Sequence, residues 1–163
     1  MKNFLIVVLL LLIPSISVFS QLSLDSLERK LPEITNDSLR HRALTQLAEG
    51  FQYTNFKKAE SFIEQALALA ETRQWDWALA QTYKRIGFLA TITGDYARAI
   101  RYDNMNLELA TKNNDSTAIS ESLNFIGNDY SDLGQYDQAY YFFSQSYRIG
   151  RLINDSIRIT IAL

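Results

Sequence analysis

The side chains able to do covalent chemistry are few, and their spacing does not assemble them. The chain has one histidine, His41, and no cysteine, whereas nucleophilic or acid–base catalysis needs a reactive group set against a partner. His41 falls on the first turn of an expected helix with no second ligand or orienting carboxylate at helical spacing, and so reads as an exposed surface histidine. Asp129 and Asp132 lie three apart and read as a solvated helix face. No glycine-rich phosphate loop is present, because the glycines fall at turns and packing positions. No enzyme activity, metal or cofactor is expected. What remains is recognition. Asn124 and Asn128 are one helical turn apart, and a carboxamide both donates and accepts, so the pair can grip the N–H and C=O of a bound backbone. Lys84 can meet a carboxylate. A formal charge of −2, with 47% hydrophobic and 21% charged residues, is ordinary globular composition and gives no electrostatic footprint for nucleic acid.

These side chains must be positioned by a repeated element. Moved back by forty residues, the stretch 123–146 falls on 83–106, and Ile126, Gly127, Gly134, Tyr136 and Ala139 coincide with Ile86, Gly87, Gly94, Tyr96 and Ala99. Five identities in a window of fourteen residues exceed the one or so expected at background frequencies of roughly 5–9%. Each copy is a pair of helix-period segments, A and B, with glycine closing A. In the third copy Leu123, Ile126, Gly127 and Tyr130 share one face of A, and Ala139 and Phe143 continue the inner face of B. Asp37, Asp76, Asp115 and Asp155, spaced by 39, 39 and 40 residues, are expected to cap four successive helices A. The spacing predicts helices over 38–53, 56–73, 77–93, 96–112, 116–133 and 136–152. Asn-Asp-Ser recurs at Asn36, Asn114 and Asn154. It matches the N-glycosylation pattern, but its place in the repeat link explains it better as turn-and-cap chemistry. Trp75 and Trp77 are expected to plug the joint between repeats.

The pattern resembles the tetratricopeptide repeat, aromatic-x2-Leu-Gly-x2-Tyr followed by Ala-x3-Phe. The third copy matches it at Leu123, Ile126, Gly127, Tyr130, Ala139 and Phe143, and the second at Tyr83, Ile86, Gly87, Ala90 and Ala99, departing from it at Asp103, where an aromatic is expected. Leu44, Leu47, Ala48, Phe51, Phe56, Ala59 and Ile63 form a weaker first copy. The resemblance implies an all-α, right-handed α-α superhelix of about three repeats of ~40 residues, longer than the usual 34 or so, plus the start of a fourth. It also implies that the helices A line a concave groove for a protein or peptide ligand. Residues alternating with the buried set would face that groove: Arg42, Thr45, Glu49 and Gln52 in the first copy, Gln81, Lys84, Phe88 and Thr91 in the second, Glu121, Asn124, Asn128 and Ser131 in the third.

Residues 1–20 read as a secretory signal: Lys2, an apolar run from Phe4 to Ile13, Pro14, and a cleavage site at Val18-Phe19-Ser20. Ten apolar residues are short for a membrane span; an uncleaved anchor is the alternative. Residues 21–36 are expected to form a capping helix, with Leu24, Leu27 and Leu31 on one side and Pro32 as its stop, and a linker. The repeats then occupy 37–75, 76–114, 115–154 and, in part, 155–163, where a fourth helix A is expected to open. A leader, no disulfides and a repeat scaffold suggest an exported bacterial envelope protein, on the periplasmic or extracytoplasmic side. The arrangement is similar to the extracytoplasmic N-terminal regions of bacterial sensor histidine kinases and regulators with tetratricopeptide arrays. That implies a sensory or scaffold region, with any kinase part and any membrane helix beyond the leader lying outside this chain; the alternative is a free periplasmic or secreted scaffold. The crowd of aromatics on helix B of the third copy predicts self-association through an unfinished face.

Overall fold

The computed structural model describes the backbone of residues 23–161 and the side chains of 23–154. The expected leader, and Leu163 at the start of the fourth motif, lie outside the described residues. Packing divides the chain into two units, residues 1–66 and 67–163, and among the described residues all regular structure is helical.

In the first unit a helix over 23–30 (α1) ends at Pro32, which sits in the 3-10 turn Leu31–Glu33. Helices α2 (Asp37–Phe51) and α3 (Phe56–Arg73) follow, the unit boundary falling inside α3. Side chains of α1 and of the turn after it meet α2 and α3. Leu24 occupies the space where Gly50 has no Cβ, Leu31 is buried, and Glu28 pairs with Lys58 at 2.8 Å. The core contains Leu44, Leu47, Ala48, Ala59 and Ile63 with the stacked rings of Phe51 and Phe62, 6.0 Å apart. Each fully buried Leu or Ile contributes about 1.5–3 kcal/mol. His41 is buried rather than exposed. The first turn of a helix is an open end only if nothing folds back on it, and here the turn Leu31–Glu33 packs against α2.

The second unit contains α4 (Asp76–Ile92), α5 (Tyr96–Lys112), α6 (Ser116–Asp132) and α7 (Tyr136–Ile161), each packed on the next. Gly94 and Gly134 take φ of +77° and +72° to close α4 and α6, a conformation in which a Cβ would be strained. Gln74 and Asn114 adopt φ of +52° and +54° after α3 and α5. The motif positions repeat inside: Ile86 and Ile126, Ala99 and Ala139 are buried, Tyr83 packs on Tyr102 with centroids 5.9 Å apart, and Tyr130 stacks on Phe142 at 5.4 Å.

Further expectations need correction. Of Asp37, Asp76 and Asp115, only Asp115 caps a helix with its side chain, accepting from the Ala118 N–H at 3.0 Å. Asn36 caps α2, and Trp75 stands at the N-cap of α4 without a side-chain bond, so Asp76 is free to pair with Lys112 at 2.9 Å. Asp155 opens no helix, because α7 runs unbroken from Tyr136 to Ile161. A left-handed asparagine such as Asn114 costs roughly 1–2 kcal/mol, and there α6 packs back on α5 in return; at Asn154 the helix continues. Trp75 and Trp77 stack on each other at 5.5 Å with Trp77 exposed, instead of plugging a joint. Tyr136 opens α7 and is 71% exposed, while its counterpart Tyr96 opens α5 and is half-buried.

Gly127 is the tightest contact of α6 on α7: a Cβ there would lie 2.8 Å from the Phe143 ring. Gly127→Leu is expected to destabilise the protein by about 1–3 kcal/mol through overpacking. Gly127→Ala should cost less, because alanine recovers roughly 1 kcal/mol of helix propensity. Thermal melts of the two variants against the parent check this order.

Candidate functional site

On α4 and α6 buried and exposed side chains alternate at helical spacing. Tyr83, Ile86 and Gly87 and their counterparts Leu123, Ile126 and Gly127 face inward, which leaves Lys84, Phe88, Glu121, Asn124 and Asn128 in solvent. The structure brings Lys84, Glu121 and Asn124 together on the wall of an open cleft of about 440 Å³, which Phe125, Ser146 and Ile153 also line. Phe88 and Asn128 lie outside that lining, one turn further along their helices. Gln81 is exposed as expected, and Ser131 is half-buried.

Lys84 is not a free cation awaiting a ligand. Its Nζ donates to Glu121 Oε2 at 2.6 Å and stands over the Phe125 ring at 5.6 Å from the centroid. Both partners of the ion pair are 48% exposed, and such pairs contribute about 1 kcal/mol or less. A ligand carboxylate or backbone carbonyl can therefore exchange with Glu121 at small cost. The cleft is close to neutral and mixes amide, hydroxyl and apolar surface, which suits an uncharged peptide backbone more than a highly charged ligand.

The first-copy residues lie on α2, in the other unit. Arg42 and Glu49 are exposed. Thr45 is half-buried and turns its hydroxyl back on its own helix, donating to Arg42 O at 2.9 Å. Gln52 stands at the C-cap of α2.

Beneath the α4–α6 surface lies a cluster that the sequence reading missed. Asp103, on α5, holds the position that Phe143 holds forty residues later, and its carboxyl fills the space left by Gly87, where a Cβ would collide with Oδ1. Asp129, read from sequence as solvated, faces it from α6: the two are 3% and 1% exposed, whereas Asp132 is exposed. Three residues along a helix is about 60° of rotation, enough to put one carboxylate in the helix contact and the other in water. Thr91 of α4 donates its hydroxyl to Asp129 Oδ1 at 2.8 Å. Asp129 Oδ2 is buried with no N–H or hydroxyl donor, and the Asp103 carboxyl acts on the Asp129 side chain as a hydrogen-bond partner. Two buried carboxyls can do this only by sharing a proton. Burial, then the charge of Asp129 and the bond to it, pushes Asp103 up to about 8, against a smaller downward pull from Lys84. Burial also raises Asp129, opposed by its bonds from Thr91 and Asp103 and reinforced by Asp132. At neutral pH Asp103 thus holds the proton and donates it to Asp129. The signal present in the sequence was Asp103 itself, an acid where the repeat requires a ring.

The sequence profile described as tetratricopeptide repeat matches residues 78–151. No curated protein sequence matches the chain significantly. Among solved structures, the chain is similar to the tetratricopeptide domain of Arabidopsis FLU, with a TM-score of 0.65 and 22% identity over 73% of this chain and 99% of that one. It is also similar to a Signal Transduction ATPase with Numerous Domains protein with a tetratricopeptide repeat sensor, from Pyrococcus horikoshii, with a TM-score of 0.72 and 15% identity over 86% of this chain and 23% of that one. A third likeness is to BtubC from P. vanneervenii, with a TM-score of 0.67 and 23% identity over 85% of this chain and 56% of that one. At these identities the likenesses establish the fold. Residues 78–151 match the tetratricopeptide repeat profile, and the consecutive helical hairpins of the chain have the all-α fold of tetratricopeptide repeat structures.

Proposed function

We propose that this protein is an interaction module that takes a peptide segment of a partner across the exposed faces of α4 and α6. Tetratricopeptide domains in general mediate protein–protein interactions. The observation that supports this site is the cleft in which Lys84, Glu121 and Asn124 converge: a carboxamide able to pair with a backbone, beside an ion pair that can open. We further propose that the module is exported and serves as the extracytoplasmic sensory or scaffold region of a bacterial membrane signalling protein; the alternative is a free periplasmic or secreted scaffold. Support comes from the leader-like residues 1–20, and from the Pyrococcus neighbour, in which a tetratricopeptide array is described as a sensor. Among the described residues no helix is long and apolar enough to cross a membrane.

A second reading, self-association, is favoured by one contrast. On α7, Tyr136, Tyr140 and Tyr147 are 71%, 76% and 69% exposed, whereas their counterparts on α5, Tyr96, Ile100 and Leu107, are half-buried, and α5 has α6 packed after it. The tyrosine face of α7 is shaped for a helix of the same kind, and a second copy of the chain would supply one.

Peptides selected from a random display library against the whole protein provide a probe for the cleft. Asn124→Ala should weaken the selected peptides about five- to tenfold, the worth of one or two hydrogen bonds, and Lys84→Ala by less. Both variants should melt within about 1 kcal/mol of the parent, because the side chains are exposed. Undiminished binding by Asn124→Ala would place the site elsewhere. Sedimentation across a wide concentration range tests the second reading: dimer formation abolished by Tyr140→Ser is expected, and a monomer throughout rejects it. The intact mass of the protein recovered from the cell envelope, expected to begin at Gln21, tests export.

A further inference from the structure

The second and third hairpins fill the same slot in different ways. Gly127 of α6 receives the ring of Phe143, whereas Gly87 of α4 receives the carboxyl of Asp103, which has met a second buried acid from the following helix. Three helices converge there: α4 through Gly87 and Thr91, α5 through Asp103, and α6 through Asp129. We propose that Asp103 and Asp129 form a proton-operated latch, in which one shared proton fastens α5 to α4 and α6 and its loss loosens that joint.

With the proton present the pair carries a single charge, and Asp129 accepts from the Thr91 hydroxyl at Oδ1 and from the Asp103 carboxyl beside it. Once the proton leaves, two carboxylates face each other out of water, and Asp129 keeps only the bond from Thr91 while its Oδ2 stays buried without an N–H or hydroxyl donor. The groups acting on the pair do not cancel this. From α4, Lys84 offers a favourable charge already committed to Glu121, and Thr91 has one hydroxyl proton; from α6, Asp132 adds a further negative charge. The slot cannot relax by turning the acid outward without emptying the space beside Gly87.

The direction follows from linkage. Asp103 titrates in the folded chain at about 8, far above the ordinary carboxylate value of roughly 3.9 that it has when unfolded. The folded state therefore binds the extra proton between those two values. The stability it provides is complete below the unfolded value, declines as pH rises, and is gone above the folded one. This trend is opposite to that of a salt-bridged carboxylate.

Thermal melts of the whole protein at about pH 6 and about pH 9 test the latch. The parent should lose several degrees of Tm at the higher pH. Asp103→Asn keeps the shape and donates an N–H to Asp129 at every pH, so it should show little of that loss; an equal loss in parent and variant overturns the proposal. Should Asp103→Asn fail to fold, carbon-13 titration of the parent's aspartate carboxyls decides: one midpoint well above the ordinary range is expected, and ordinary midpoints for all of them reject the latch. Hydrogen exchange, normalised for the intrinsic pH effect, should show the alkaline loosening in 96–132 and not in α2; loosening that is uniform over the chain would also overturn it.

Discussion

Two antiparallel helices joined by a three-residue turn share a wide face only if one of them presents almost no side chain where they cross. In this chain that role falls to one position of each helix A: Ala48, Gly87 and Gly127. The missing side chain leaves a slot, and the facing helix B must fill it, because a void forfeits the contacts of every atom around it. Phe143 fills the third slot with a ring and Asp103 the second with a carboxyl. The short turns closed by Gly94 and Gly134, and the alanines at 99 and 139 that let the helices approach, serve the same contact.

Regular packing inside produces a regular surface outside. Because residues flanking the slot are held inward, those between them are held outward at fixed intervals, and Lys84, Glu121 and Asn124 come together although no short motif links them. None of the three is buried or held in an unusual backbone conformation. Such a surface can vary without disturbing the hairpins, which is why one scaffold suits many partners.

The polar interior is less regular and more specific. Asn106 donates to Ser122 Oγ at 2.9 Å across α5 and α6, and Ser120 and Ser146 bond across α6 and α7. With the acid pair, these contacts give each joint its own chemistry. Satisfied buried polar groups favour one register of helix on helix, since a slipped register would leave them without partners.

The sequence by itself determined the hairpins. A forty-residue period, glycines placed to close α4 and α6, and an apolar stripe on every helix made α3 and α5 legible to the residue and the others to within a residue or two, apart from the extension of α7. Periodicity also set Lys84, Phe88, Glu121, Asn124 and Asn128 on the exposed side, but Thr45, Gln52, Thr91 and Ser131, expected there too, are half-buried, and Thr91 turns its hydroxyl onto Asp129. What a buried or exposed position touches is a different matter. Periodicity could not show that Lys84 would reach Glu121 or that Asp129 would find Asp103, because each contact joins residues far apart in the chain, nor that His41 would be buried. Asn-Asp-Ser makes the division clearest. At 36–38 its asparagine caps a helix, at 114–116 it takes the left-handed turn between two, and at 154–156 it continues one. The same three residues are compatible with all three outcomes, so the triplet alone does not choose among them.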